Sequence, residues 1–154
     1  MMLNVGENAP DFTVSDQSGE TVTLSELRGK TVVLFFYPKA DTPGCTVEAC
    51  SFRDKKTEYD SDDVIILGIS PDTPKAQSEF AEKFALPYRL LADADHAIAE
   101  SYGVWGEKSM YGKKYMGIER TTFVIGKDGE LTHIFRKVKP ESHADEILTA
   151  IKAA

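Results

Sequence analysis

The two cysteines of this 154-residue chain, Cys45 and Cys50, stand five positions apart in the stretch "TPGCTVEAC" (Thr42–Cys50). Thr42 is a favoured N-cap type, and Pro43 fits the first helical position, where its missing N–H costs nothing. Cys45 then falls in the first helical turn, where unpaired backbone N–H groups and the positive end of the helix dipole favour an anion. A thiolate is such an anion, and it is the nucleophilic form of cysteine. The plainer alternative is a buried free cysteine acting as a small hydrophobe.

Cys50 changes the balance. Residues i and i+5 of an ideal helix lie roughly 8–9 Å apart at Cα, whereas a disulfide needs about 4.4–6.8 Å. The pair cannot close while the helix stands. It can act in sequence: Cys45 reacts, the first turns unwind, and Cys50 attacks the modified sulfur. A metal site would want further ligands at suitable spacing, but His96, His133 and His143 are scattered singly, so no metal and no other cofactor is expected. The C-x-x-C pattern of a disulfide-exchange site is absent.

The elements around this stretch are legible from pattern. Phe12–Val14 and Val22–Leu24 alternate around Asp16–Gly19 and predict a small hairpin; Ser25–Arg28 fits one helical turn ended by Gly29. "TVVLFFY" (Thr31–Tyr37) is a run suited to a strand buried on both faces. The loop Pro38–Asp41 follows, then the cysteine helix, expected to reach about Tyr59. "VIILGIS" (Val64–Ser70) is a second buried strand. Thr73-Pro74 repeats the cap-and-proline start, with Ala76, Phe80 and Phe84 as an apolar stripe. Tyr88–Leu91 reads as a short strand, and Asp95 as the start of a helix through Tyr102. Thr121–Ile125 and Leu131–Phe135 flank the turn signal "GKDGE". A last helix shows Ala144, Ile147, Leu148 and Ile151 on one face. This order predicts one α/β domain over residues 1–154: a mixed sheet flanked by helices, thioredoxin-like, with an N-terminal β-hairpin. The first strand–loop–helix junction is where such sheets place chemistry.

Composition bounds the partners. With 18 Lys+Arg against 25 Asp+Glu the net charge is −7, which argues against a nucleic-acid or anionic-membrane partner. Met1–Phe12 shows no secretory pattern and no apolar run is long enough to span a bilayer, so a cytoplasmic location is expected. Two cysteines are too few for a disulfide scaffold.

Pro38, Thr42 and Cys45 form P-x-x-x-T-x-x-C, which resembles the peroxiredoxin active-site motif. The fuller "TPGCTVEACSFRD" resembles the bacterioferritin comigratory, or Q-type, branch. The likeness spans nearly the whole chain, from "APDF" through "YGVWGEKSMYGKKYMGIERTTFVIGKDG" (Tyr102–Gly129). It implies reduction of hydrogen peroxide or an organic hydroperoxide by Cys45, giving a sulfenic acid that Cys50 resolves as a disulfide. It also implies recycling by thioredoxin or a similar dithiol. It carries roles for Thr42, whose hydroxyl meets the peroxide, for Arg120, whose guanidinium holds thiolate and peroxide, and for Pro38, which shields the sulfur from water. Glu48 fits the branch's "CTxEA" pattern, where it could bind Arg120, relay a proton, or simply serve the helix start as any first-turn acid does. Tyr37 could reach substrate or belong to the core. No tail cysteine calls for a dimer, and a monomer is the expectation.

A low-pKa thiol does not suffice for such a reaction. Lowering a thiol's pKa from ~8.5 to ~6 raises its thiolate fraction at pH 7 about 30-fold. With a Brønsted slope of ~0.45 it loses about 13-fold in nucleophilicity, for a net gain of only ~2-fold. Fixed donors aimed at the departing oxygen must therefore carry most of the advantage.

Other signals are weaker. "LRGKT" (Leu27–Thr31) ends like a phosphate-binding loop but has Leu24 where its first Gly belongs. "LADADH" (Leu91–His96) lacks the spacing of a calcium loop. Trp105, Met110, Tyr111, Tyr115 and Met116 fit packing or a rim where a reductant docks, and Lys113 and Lys114 fit solvated positions. Two other functions remain at this level: a redox-responsive module signalling through the same unwinding, and a disulfide oxidoreductase, which the missing C-x-x-C disfavours.

Overall fold

The computed structural model describes residues 3–141 and 143–153. A hairpin of β1 (Thr13–Ser15) and β2 (Thr21–Thr23) comes first, followed by a 3₁₀ turn at Leu24–Leu27. β3 (Thr31–Phe36) leads into α1 (Pro43–Asp54) and α2 (Lys56–Ser61), then β4 (Val64–Ser70), α3 (Pro74–Lys83), β5 (Arg89–Ala92) and α4 (Ala97–Ser101). A second hairpin, β6 (Trp105–Met110) and β7 (Lys113–Ile118), precedes β8 (Thr121–Ile125), β9 (Leu131–Arg136) and α5 (His143–Ala153). The central sheet has five strands in the order β5–β4–β3–β8–β9. β3, β4 and β5 run parallel, and β8 and β9 pair antiparallel beside β3. This is the mixed α/β sheet with an N-terminal hairpin that the sequence pattern predicts.

Strand alternation divides the interior into two cores. Val33, Phe35 and Tyr37 of β3 and its end face one side with Cys45, Ala49, Phe52, Tyr59, Phe80 and Ile147. Val32, Leu34 and Phe36 face the other, with Phe12, Ile98, Tyr102 and Ile118. The continuous apolar run in β3 is thus explained by burial on both faces. Among the described residues no helix is long and apolar enough to cross a membrane.

Four expectations need correction. The cysteine helix does not run unbroken to Tyr59: Lys55, with φ −103° and ψ 5°, breaks it before α2 carries on to Ser61. α4 begins at Ala97, not Asp95, because the buried Asp93 reaches forward and accepts from the backbone N–H of Ile98 (3.1 Å) and Ala99 (2.9 Å). The β6–β7 hairpin is not among the expected elements. Its strands are mostly polar and carry no apolar alternation, and its turn is made by Tyr111 (φ +52°) and Gly112 (φ +77°). The apolar stripe on α3 is narrower than expected: Phe80 is buried while Ala76 and Phe84 are only half-covered, and the buried polar Gln77 shares its face.

Candidate active site

The register of two strands brings the site together. Phe36 at the end of β3 pairs with Thr121 at the start of β8. One step further out, Arg120 stands at the sheet end from which Pro38 leads to α1. Alternation along β8 sends Val124 to the core that holds Cys45 and Phe123 to the opposite one, so Arg120 lies on the cysteine side.

The loop between β3 and α1 is tied down from α3's side. The Ala40 N–H donates to Asp72 Oδ2 at 2.8 Å, and Lys83 pairs with Asp41 at 2.9 Å. Asp41 takes a left-handed conformation (φ +57°), turning the chain sharply into the helix. Thr42 occupies the N-cap position with extended backbone, but its side chain does not cap the helix. Its hydroxyl instead donates to the Lys39 carbonyl at 2.8 Å. The reason is local: a three-residue turn back to Lys39 satisfies the hydroxyl first.

Cys45 is buried, at 1% exposure, and both cysteines are free thiols. Arg120 Nη2 donates to Cys45 Sγ at 3.4 Å, and its Nη1 donates to Glu48 Oε1 at 2.7 Å. One guanidinium therefore bridges the thiol and a carboxylate one helical turn away. Burial works against the Arg120 charge, yet Glu48 and Cys45 outweigh it and hold its pKa above the usual range. For Glu48 burial wins: its carboxyl is pushed up to about 7 despite Arg120. Glu48 is fully buried and lies beyond the first turn of α1, which holds no acidic residue, so the alternative of an ordinary first-turn acid does not fit.

The guanidinium can come this close because residue 44 is glycine. A Cβ there would sit 3.2 Å from Arg120 Nη2 and 3.8 Å from Pro140 Cγ. Gly44 escaped the sequence analysis, although a glycine directly before a first-turn cysteine is a visible sign that something must approach. Of the two readings of Tyr37, burial favours the core. The residue is fully buried, and its hydroxyl donates to Gln77 Oε1, which turns it away from any substrate and into the core. Pro38 is half-buried at the mouth of the loop. Cys50 is half-buried, on the same continuous helix as Cys45.

His143, scattered in sequence, belongs to the same buried cluster: its Nε2 is 2.6 Å from Thr122 Oγ1 and 4.0 Å from Glu48 Oε2. Among the described residues no group of His, Cys, Asp and Glu is placed to hold a metal ion. An open cavity of about 500 Å³ has Arg120, Glu119, Lys137, Val104 and Trp105 in its wall, and Arg120 keeps 18% of its side chain exposed. The arrangement is a buried thiol under a cation that retains an open edge.

Known proteins share this plan. The model of the AhpC/TSA family matches residues 5–134. Peroxiredoxin Bcp of Bacillus subtilis is 47% identical over 152 residues, covering 99% of this chain and 97% of that one. Peroxiredoxin Bcp of Escherichia coli is 48% identical over 150 residues, 97% of this chain and 96% of that one. The solved structure of the Xanthomonas campestris bacterioferritin comigratory protein, described for its alkyl peroxide reduction activity, matches with a TM-score of 0.91 at 37% identity, over 97% of this chain and 98% of that one. The fold is the thioredoxin-like one of these neighbours. With a family model covering most of its length and Bcp relatives at nearly half identity, the chain belongs to the AhpC/TSA family and is a peroxiredoxin, an enzyme that reduces peroxides.

Proposed function

We propose that Cys45 is the thiolate that attacks the peroxide, that Cys50 resolves the product within the same chain, and that a thioredoxin-like dithiol recycles the enzyme. The Cys45 sulfur attacks one peroxide oxygen and the O–O bond breaks. Sulfur is oxidised to the sulfenic acid, and the departing hydroxide or alkoxide takes up a proton to leave as water or alcohol. The Cys50 thiol then displaces water from that sulfur and forms the S–S bond. An external dithiol reduces the bridge by exchange and is itself oxidised.

The observation that carries this reading is the Arg120 contact: 3.4 Å to Cys45 Sγ, with the opposite arm anchored at 2.7 Å on Glu48. A cation fixed there stabilises the thiolate and the charge developing on the departing oxygen, without reorganising as the bond breaks. Thr42 complements it. With its proton committed to the Lys39 carbonyl, its oxygen is an acceptor for the peroxide O–H. Pro38, half-buried on the loop between β3 and the cysteine helix, would limit water at the sulfur.

Peroxide consumption coupled to thioredoxin is the test. Cys45→Ser should abolish it, and retention of full activity by that variant would refute the assignment. Cys50→Ser should permit a single turnover with one oxygen retained on Cys45 and then stall; sustained turnover with thioredoxin would remove Cys50 from the cycle.

A further inference from the structure

Glu48 Oε2 is the one buried side-chain oxygen or nitrogen without a hydrogen-bond partner among the described residues. An unpartnered carboxylate oxygen in a fully buried position is costly. Arg120 is spent on the other oxygen, and the fully buried His143 of α5 faces this one, its Nε2 at 4.0 Å. The imidazole is edge-on to the rings of Phe52 (5.9 Å) and Phe135 (5.7 Å). Its Nδ1 lies 3.2 Å from Glu146 Oε1, at the protein surface. A carboxylate there accepts, which places a proton on Nδ1 and leaves Nε2 to accept from the Thr122 hydroxyl at 2.6 Å.

We propose that His143 is a positioning residue for the peroxide reaction, acting through Glu48: the neutral imidazole keeps one exchangeable proton on the buried carboxyl beside it, and whether that proton is present sets how much of Arg120's charge is left for the Cys45 sulfur. This rests on the reading of Cys45 as the attacking thiolate. With the proton on Glu48, the carboxyl is a weak rival to the sulfur for Arg120. Once the proton leaves, a full carboxylate competes for the same guanidinium in a poorly solvated site. The upward push on Glu48 and the downward push that burial exerts on His143 agree with a single retained proton near neutrality. The charged and titratable groups that face the pair come from several elements, including the buried Tyr59 of α2, whose hydroxyl donates to the Ala144 carbonyl at 2.7 Å. Arg120 comes from the β7–β8 link, Cys45 from α1, and Glu146 from α5. Tyr88, ahead of β5, has its hydroxyl spent on the Ala49 carbonyl at 2.6 Å.

The experiment is the pH dependence of the rate constant for Cys45 oxidation by hydrogen peroxide in single turnover. Wild type should lose rate on the alkaline side as the Glu48 proton departs. His143→Gln, whose amide donates to the carboxylate and favours its charged form, should move that limb to lower pH by about 1 unit or more. Placed in a Glu48→Gln background, the same His143→Gln change should leave the profile where Glu48→Gln alone has it. Profiles of His143→Gln and wild type that superimpose would overturn the proposal. So would an equal shift in both backgrounds, the mark of a merely structural role. Nitrogen-15 shifts of His143 in the unmutated fold give a second readout. Its titration should move when Cys45 is oxidised or Glu48 is replaced by Gln, and an unmoved midpoint overturns the idea even if His143→Gln folds poorly. Peroxide reactivity surviving Cys45→Ser would instead sink the underlying reading, which keeps the two failures apart.

Discussion

Arg120 meets a thiol and a carboxylate through different arms of one planar fork, and only a guanidinium can do so. Arg120→Lys should therefore lower the rate constant with peroxide by about 100-fold, the order found when one fixed donor to a developing oxyanion is lost. A loss under threefold in stopped-flow oxidation would show that the fork geometry is dispensable. At this scale the sequence was readable where a motif carries the residue, as at Cys45, Thr42 and Pro38. Arg120 was reached only through the family likeness, since an arginine before a strand is otherwise unremarkable. Glu48 could also be read as an ordinary helix-start acid, because its burial depends on α5 and β8, far away in the chain. His143 was invisible for the same reason. Tyr37 was ambiguous because a tyrosine at a strand end fits both core and rim until the partner of its hydroxyl, Gln77, is known.

In the proposed cycle α1 must satisfy two opposed demands. Intact, it keeps Cys45 beneath Arg120; closed into a disulfide, it cannot remain a helix across Cys45–Cys50. Unwinding takes Glu48 from Arg120 and the Ala49 carbonyl from the Tyr88 hydroxyl, two contacts that span the fold. Tyr88→Phe removes the second at a cost to the folded helix of about 1 kcal/mol. Disulfide formation after the sulfenic acid should then accelerate roughly fivefold while the first oxidation step keeps its rate. Unchanged resolution kinetics in a rapid-quench series would show that this contact is not broken. Oxidation itself should reduce far-UV helicity, and an undiminished signal would contradict the unwinding. The start of α1 was legible from Thr42-Pro43, as was α3 from Thr73-Pro74. The β6–β7 hairpin was not, because exposed polar strands lack the alternation that betrays a half-buried one. α4 was misplaced because its capping carboxylate, Asp93, acts from outside the helix.

For the molecule as a whole, the buried pair gives folding stability an uneven pH dependence. Glu48 is raised from 4.5 to about 7. The folded chain thus holds a proton there that the unfolded chain lacks, and its contribution is full below the unfolded value and lost as pH rises through about 7. His143, lowered from 6.5, acts in the opposite sense: its contribution is present above 6.5 and lost as pH falls through its folded value. Glu48→Gln removes only the first. It should gain on wild type by on the order of 2 kcal/mol between about pH 5 and pH 8 in urea denaturation. A stability difference that stays flat across that range would contradict the burial argument. The mixed sheet and its buried strands followed from the apolar runs, whereas the strand order and the meeting of Arg120 with Cys45 depend on the β3–β8 register, which no local pattern states. The most direct test of the account is a disulfide map of the reduced protein after one equivalent of hydrogen peroxide. A single Cys45–Cys50 bridge within one chain, with two hydrogens lost and no oxygen retained, is the predicted result. Oxygen accumulating on Cys50, or on Cys45 while Cys50 stays a free thiol, would contradict it.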